Sequence, residues 1–317
     1  MTTYSPYARS TLDDALAKSL ALVPDGAART AGVAYGERVA QDIIDLRADD
    51  GRNAPVQYTR APAPGVWRPT PPAYASMAVP WLGGVTPLLA RSAAQFAPPA
   101  PPALTSRRYT RDFAEVKAMG SLNSTARTAA QTDTALFFSG NAAVQVHTAL
   151  RDQAADRGLG IAEAARMFAA VQMTIADAVI VTWQSKLEHA YWRPITAIHL
   201  ADTDGNPATT ADPAWVPLLA APPYPDYVSG YNVVIAAFTR ALEHVVGPRL
   251  DLELISTAVP GTVRRYDRGA ALRADVVDAR IWLGIHFRTA DTAARTIGVD
   301  VADWASHRYF RPAGRHG

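Results

Sequence analysis

Between Arg52 and Leu104 the chain carries a large share of its 24 prolines, among them Pro69, Pro71, Pro72, Pro98, Pro99, Pro101 and Pro102. Proline lacks the backbone N–H that helices and sheet ladders use, so this stretch can form neither a long helix nor a central strand. It reads as an extended strap over a core, with Trp67, Trp81 and Phe96 as anchors. On both sides apolar residues return at three- and four-residue spacing, the helical period. Two helices fit within Thr11 to Arg47. Others fit Asp112 to Met119, Thr125 to Phe138, Ala142 to Arg157, Ala162 to about Trp192, Val233 to Val246, Leu250 to Thr257 and Ala270 to Leu283. Strand signals are nearly absent. The expected fold class is all-α, a helix bundle with a proline-rich N-terminal strap. One domain over residues 1–317 is expected, with the N-terminal helices and strap in 1–105 and the bundle in 106–317.

Composition narrows the chemistry. The 317 residues contain no cysteine, which removes disulfides, thiolate metal sites and cysteine nucleophiles together. Lys plus Arg at 31 against Asp plus Glu at 29 leaves a net charge of +2, too little for the basic face that duplex nucleic acid requires. No uninterrupted apolar run approaches the ~20 residues of a bilayer span, and the first residues, Met1 to Arg9, lack the order of a secretory signal. A cytoplasmic protein with a small-molecule partner and no membrane span is expected, and a homodimer is compatible with the aromatic strap. Asp202, Asp204 and Asn206 have calcium-loop spacing, but Pro207 and Pro213 stand where that loop needs glycine and glutamate, so the segment reads as a polar turn.

Three segments carry candidate chemistry. In Lys186-Leu-Glu-His189-Ala-Tyr191-Trp192-Arg193-Pro194 the two cations lie seven residues apart, two helical turns, and would project from one face. In Tyr224-Pro-Asp226-Tyr227-Val228-Ser229-Gly230-Tyr231-Asn232 the Ser hydroxyl and Gly amide form a donor pair ahead of a helix. In Ala279-Arg280-Ile-Trp-Leu-Gly284-Ile-His286-Phe287 a helical arginine is followed by a histidine after a glycine that releases the helix. Taken singly, each has an ordinary structural reading: a solvated charged face, a turn, a core histidine.

In combination and order, Lys-x6-Arg-Pro, Ser-Gly and Arg-x5-His resemble the vanadium-dependent haloperoxidases and the related phosphatidic acid phosphatase type 2 and acid phosphatase superfamily. R-A-D-D-G, G-V-W-R-P-T-P-P, V-K-A-M-G-S-L-N-S-T-A-R-T, T-W-Q-S-K and W-R-P-I-T-A-I are similar to the bacterial haloperoxidase-like branch, so the resemblance runs from about Gly36 to Arg311. It implies the helix bundle of the vanadium haloperoxidase and acid phosphatase type. It also implies an oxyanion cage of Lys186, Arg193, Ser229, Gly230 and Arg280, with His286 as the apical group that ligates vanadate or takes a phosphoryl group. Vanadate is the implied cofactor, and phosphate or a substrate phosphate or diphosphate fits the same site.

The departures matter most. The family pattern Pro-Ser-Gly-His is here Val228-Ser229-Gly230-Tyr231, and its Ser-Arg is Ala279-Arg280. Tyr231 stands where the resemblance implies an acid–base histidine. A phenol with an ordinary pKa near 10 is a weak base at neutral pH and forfeits much of the roughly 10²–10⁴-fold contribution of a placed general base. Either Tyr231 is an introduced change, or His189 or Asp226 takes over, or the protein has diverged. Divergence is favoured, because Val228 and Ala279 depart as well. The expected catalytic pair is then His286 and Tyr231, with Trp183, His189, Tyr224, Asp226 and Tyr227 as substrate-pocket residues, beside Tyr191 and Trp192. The expected function is a non-oxidative cyclisation or rearrangement of a hydrophobic or phosphate-bearing substrate in specialised metabolism. The alternatives are a weak vanadate haloperoxidase, a phosphatase, and a non-catalytic oxyanion-binding protein.

Overall fold

The computed structural model describes residues 3–310; Arg311, where the family resemblance ends, lies outside the described residues. Two compact units are present, residues 1–52 and residues 53–317. The first contains helices α1 (Arg9–Leu20) and α2 (Ala27–Leu46), neither of which buries a residue. The second contains everything else.

The second unit begins with the strap, which is held by its backbone. The buried carboxylate of Asp177 accepts from the backbone N–H groups of Leu88, Leu89 and Ala90 at 2.6, 2.9 and 2.7 Å. Trp67 N–H donates to Ala190 O and Trp192 N–H to Gly65 O, so the strap forms a short antiparallel bridge at Val66 and Tyr191. Trp67 is 1% exposed, and burying a side chain of this size is worth roughly 3 kcal/mol. Trp81 and Phe96 pack partly buried against the core.

The bundle follows as α3 (Arg107–Met119), α4 (Ala129–Phe137), α5 (Ala142–Asp156), α6 (Ile161–His189), α7 (Pro194–His199), α8 (Gly230–Val246), α9 (Gly269–Trp282) and α10 (Arg288–Arg308). Their starts are written in the sequence. Ser106 caps α3, Asn141 caps α5, and Thr128 with Gln131 forms a capping box on α4. The central helix is α8, packed on α6 and α10. Close approach of α10 needs Gly298, because a Cβ there would lie 2.6 Å from Ala236 Cβ and 2.7 Å from Val233 O. By length and hydropathy α6 would pass as a membrane span, contrary to the expectation from apolar runs, yet it packs as a bundle helix and buries Asp177 and Lys186.

Three expectations need correction. The helix expected over Leu250 to Thr257 is a strand. β1 (Leu252–Ile255) pairs antiparallel with β2 (Val263–Tyr266), Leu252 opposite Tyr266 and Ile255 opposite Val263. Burial along β1 alternates, which is the period of a strand and not of a helix. Lys186 and Arg193 do not share a helix either. Ala190 ends α6 in the left-handed region at φ 46°, and Arg193 is extended, as expected for a residue before proline. Finally, α10 is absent from the sequence reading, because Ala, Thr and Gly make up much of its packed face and give a weak apolar period.

Candidate active site

Four elements deliver the cage residues to one buried place. Lys186 comes from the last turn of α6, Arg193 from the extended segment before α7, and Ser229 and Gly230 from the start of α8; Arg280 comes from the end of α9. His286 follows the turn after α9, where Gly284 has φ +76°. A Cβ there would meet Gly120 O at 2.4 Å, so both the turn and the close approach require glycine. Lys186, Arg193, Ser229, Arg280 and His286 are all buried, and Gly230 is half-buried.

Hydrogen bonds show how closely these groups meet. Lys186 Nζ donates to Pro225 O at 2.6 Å and to Asp226 O at 3.2 Å. Arg193 donates from Nε to Tyr224 O at 2.8 Å and from Nη1 to Ile285 O at 2.7 Å, and Nη1 lies 3.2 Å from His286 Nε2. Arg280 Nη1 donates to Phe138 O at 2.9 Å. The Tyr224 ring lies under both Lys186 Nζ and the Arg193 guanidinium, each 4.9 Å from its centroid. Lys186 carbonyl contacts, the Tyr224 ring and His286 thus connect the first two cations to the third segment.

Two atoms in this set have no partner: Arg193 Nη2 and Arg280 Nε, both buried. Buried donors are nearly always paired, and an unpaired one costs about 1–3 kcal/mol. Cationic donors of this kind beside a neutral imidazole and the N-terminus of α8 fit a multiply charged oxyanion. Burial, reinforced by Arg193 and Arg280, lowers the Lys186 pKa well below the ordinary lysine value. A bound anion would oppose that shift and favour the ammonium.

His286 is held neutral. Burial comes first, followed by repulsion from Arg193, Lys186 and Arg280, so its pKa falls well below the ordinary value. Nδ1 lies 2.7 Å from Asp226 Oδ1, which favours the Nδ1–H tautomer and makes Nε2 the acceptor facing Arg193 Nη1 at 3.2 Å, a contact that a ligand at Nε2 would replace. Asp226 is itself fully buried. Desolvation pushes its pKa up to about 7 against the opposing pull of Arg193 and Lys186, and its Oδ2 has no partner.

Tyr231 is turned to other work. Its hydroxyl donates to Gln145 Oε1, and its ring lies under the Arg280 guanidinium at 4.7 Å. Burial raises its pKa further above the ordinary phenol value, so Tyr231 is an even weaker base than its residue type implies. Of the two groups named as replacements, Asp226 touches His286, while His189 is half-buried and meets Tyr227 edge-on at 5.3 Å.

The expected aromatic pocket divides. Trp192, Tyr191 and Tyr227 are buried core, with the two phenols donating to Pro102 O and Pro99 O. Trp183 packs against Tyr224 at 5.2 Å and lies 3.3 Å from where a Gly230 Cβ would sit, so it walls the cage directly. Sequence reasoning missed Asp291 and Gln145. Asn232 Nδ2 bridges Asp291 Oδ1 at 2.7 Å and Ser229 Oγ at 3.3 Å. Burial holds the Asp291 carboxyl well above the usual range. The only available sequence signal for Asp291 was its place in the helical turn after Arg-x5-His.

Known proteins resemble this chain in sequence and in fold. Residues 166–314 match the VCPO second helical-bundle domain family. The vanadium chloroperoxidase of Curvularia inaequalis is 28% identical over 183 residues, covering 43% of this chain and 29% of that protein. The chain therefore spans less than a third of that curated relative. The crystal structure of the first bacterial vanadium-dependent iodoperoxidase superposes with a TM-score of 0.76 at 26% identity, covering 87% of this chain and 68% of that one. An apo bacterial vanadium-dependent chloroperoxidase gives 0.70 at 16% identity, covering 86% and 72%, a likeness of fold.

Proposed function

We propose that the chain is an enzyme of the vanadium haloperoxidase superfamily that keeps the superfamily's oxyanion site while having given up peroxidase chemistry. The observation that carries the reading is the placement of Tyr231: its one proton goes to Gln145, its ring is covered by Arg280, and burial holds the phenol neutral. No proton can be cycled at this position near neutral pH.

Vanadate fits the residues present: the unpaired Arg193 Nη2 and Arg280 Nε, with Lys186, Ser229 and the Gly230 amide, would donate to its oxygens, and His286 Nε2 would offer its lone pair to the vanadium. When bound, vanadate supplies the electrophilic centre at which peroxide oxidises a halide. The same donors accept phosphate, diphosphate or carboxylate.

In this reading Lys186, Arg193 and Arg280 neutralise an anionic group of an organic substrate. Ser229 and Gly230 orient that group, and Asp226 fixes the His286 tautomer. Trp183 closes the cage against water, which strengthens each charge interaction within it. The reaction is then a cyclisation or rearrangement of a hydrophobic substrate, steered by fixed charge, with Asp226 as the group in contact with His286 that titrates near neutrality.

The test is turnover. With vanadate, hydrogen peroxide and bromide, the protein should fail to bleach monochlorodimedone, and with p-nitrophenyl phosphate it should release little nitrophenol. Tyr231→His should raise bromination above the parent. Bromination by the unaltered chain at the rate of a superfamily haloperoxidase would refute the reading.

A further inference from the structure

The first unit has helices without a core. Neither α1 nor α2 buries a residue, and α1, at 12 residues, is too short to keep its helical form in water by propensity alone. Helices in proteins are stabilised chiefly by packing an apolar face. Such faces exist here and are uncovered. On α1, Leu12, Leu16 and Leu20 recur every fourth residue, and Leu16 is 56% exposed. On α2, Tyr35, Val39, Ile43 and Leu46 follow at spacings of four, four and three, which makes one stripe along the helix. Tyr35 is 61%, Ile43 50% and Leu46 76% exposed. An exposed apolar surface of this continuity marks a place where another macromolecule packs.

Between the two helices lies an open groove of about 840 Å³, with Leu16, Leu20 and Val23 on one wall and Gly32, Gly36 and Ala40 on the other. A Cβ on Gly32 or Gly36 would meet nothing within 4 Å. Two helices with apolar stripes and an open groove are half of a four-helix bundle, the arrangement in which every stripe faces a shared core.

The charges beside the α2 stripe say what supplies the other half. Arg38 and Asp42 are exposed, one turn apart, and border the stripe on the same flank. Neither forms an ion pair within the chain. The Arg38 guanidinium lies over the Tyr35 ring at 5.2 Å, and the ion pairs of this unit are Arg29 with Asp25 and Arg47 with Asp50. When α2 is laid antiparallel on another α2, with a twofold axis midway between residues 38 and 42, position 38 of each helix faces position 42 of the other. The arginine of each copy then meets the aspartate of the other, at two places, and the apolar stripes meet between them. A copy of this chain provides both the charges and the stripe by symmetry.

We propose that a second copy of this chain covers the first unit: α2 pairs antiparallel with α2 of the copy, the α1 helices complete a four-helix bundle, and Arg38 and Asp42 pair reciprocally across the twofold axis. The interface of the homodimer is then α1 and α2 and not the aromatic strap. This assignment is independent of the reaction proposed above.

The test is the mass of the full chain in solution, by light scattering over a concentration series, for the parent and three variants at exposed positions. The parent should be a dimer. Ile43→Asp should make it a monomer, and because Ile43 packs in no core of its own chain the variant keeps its fold. Arg38→Glu and Asp42→Arg should each weaken the dimer about tenfold or more, since like charges then face each other at both contacts. Mixing these two variants places opposite charges at both contacts of the mixed dimer. The mixture should therefore be dimeric at a concentration where each variant alone is monomeric. An Arg38–Asp42 attraction within one helix would be lost in both variants and not recovered by mixing. A parent that stays monomeric at every concentration would overturn the proposal, and is the result expected if another part of the same chain or a different protein covers these helices. A dimer that survives Ile43→Asp, or a mixture no more dimeric than its components, would overturn it as well.

Discussion

Asp226→Asn should make the stability of the second unit respond differently to pH. The carboxyl is buried without exposure, faces Lys186, Arg193 and His286, and has its pKa raised from 3.8 to about 7 by desolvation. A carboxyl raised on folding is preferentially protonated in the folded state. Its contribution is therefore full below pH 3.8 and is lost as pH rises, at about 1.4 kcal/mol per pH unit, until about pH 7. Between pH 5 and pH 7, where the curve flattens on reaching the folded pKa, the loss is about 2 kcal/mol, between one and two orders of magnitude in the folding equilibrium. The asparagine variant lacks this titration while keeping an acceptor for His286 Nδ1–H. All seven tryptophans lie in residues 53–317, so urea unfolding followed by tryptophan fluorescence reads that unit. The parent should lose about 2 kcal/mol relative to the variant from pH 5 to 7 and change little beyond. A difference between the two proteins that stays constant over this range, or grows in favour of the parent, would refute the assignment of a protonated Asp226 beside His286.

Other outcomes follow from the same contacts. Tyr231→Phe leaves Gln145 Oε1 without its donor and should cost about 1–3 kcal/mol in urea unfolding, with phosphate affinity unchanged because the hydroxyl points away from the cage. Arg280→Met removes a buried charge-assisted donor and should weaken phosphate binding about 10- to 150-fold by calorimetry. Gly298→Ala places a methyl group against Ala236 and Val233 O and should destabilise the second unit by about 1–3 kcal/mol through overpacking, since neither helix can yield without shifting backbone. An unaltered unfolding midpoint would contradict the tight α8–α10 crossing.

The helices were legible where the caps were explicit, as in α3 and α5, or the apolar period strong, as in α8. The strap was legible because proline forbids the alternatives. The hairpin of β1 and β2 was misread, although Leu250, Leu252 and Leu254 stand at spacing two, since a short apolar run does not declare its period. In α10 the packed face is Ala294, Gly298, Val301, Ala302 and Ala305, small residues chosen by close helix approach instead of by hydrophobicity. The three-part motif named residues that the fold brings to one buried place. The route was not visible: Arg193 arrives on extended chain because Pro194 follows it. The carboxylates were harder still. Asp226 was a pocket residue by position only, and Asp291 carries no motif, since its meaning arises from Asn232 and Ser229 across the α8–α10 contact.

The most direct test of the oxyanion cage is an anomalous difference map from a crystal soaked in vanadate. The account predicts one buried peak beside His286 Nε2, within hydrogen-bonding reach of the Arg193 and Arg280 guanidinium groups and the Gly230 amide. A map with no peak there, or with vanadium only at surface arginines, would contradict it.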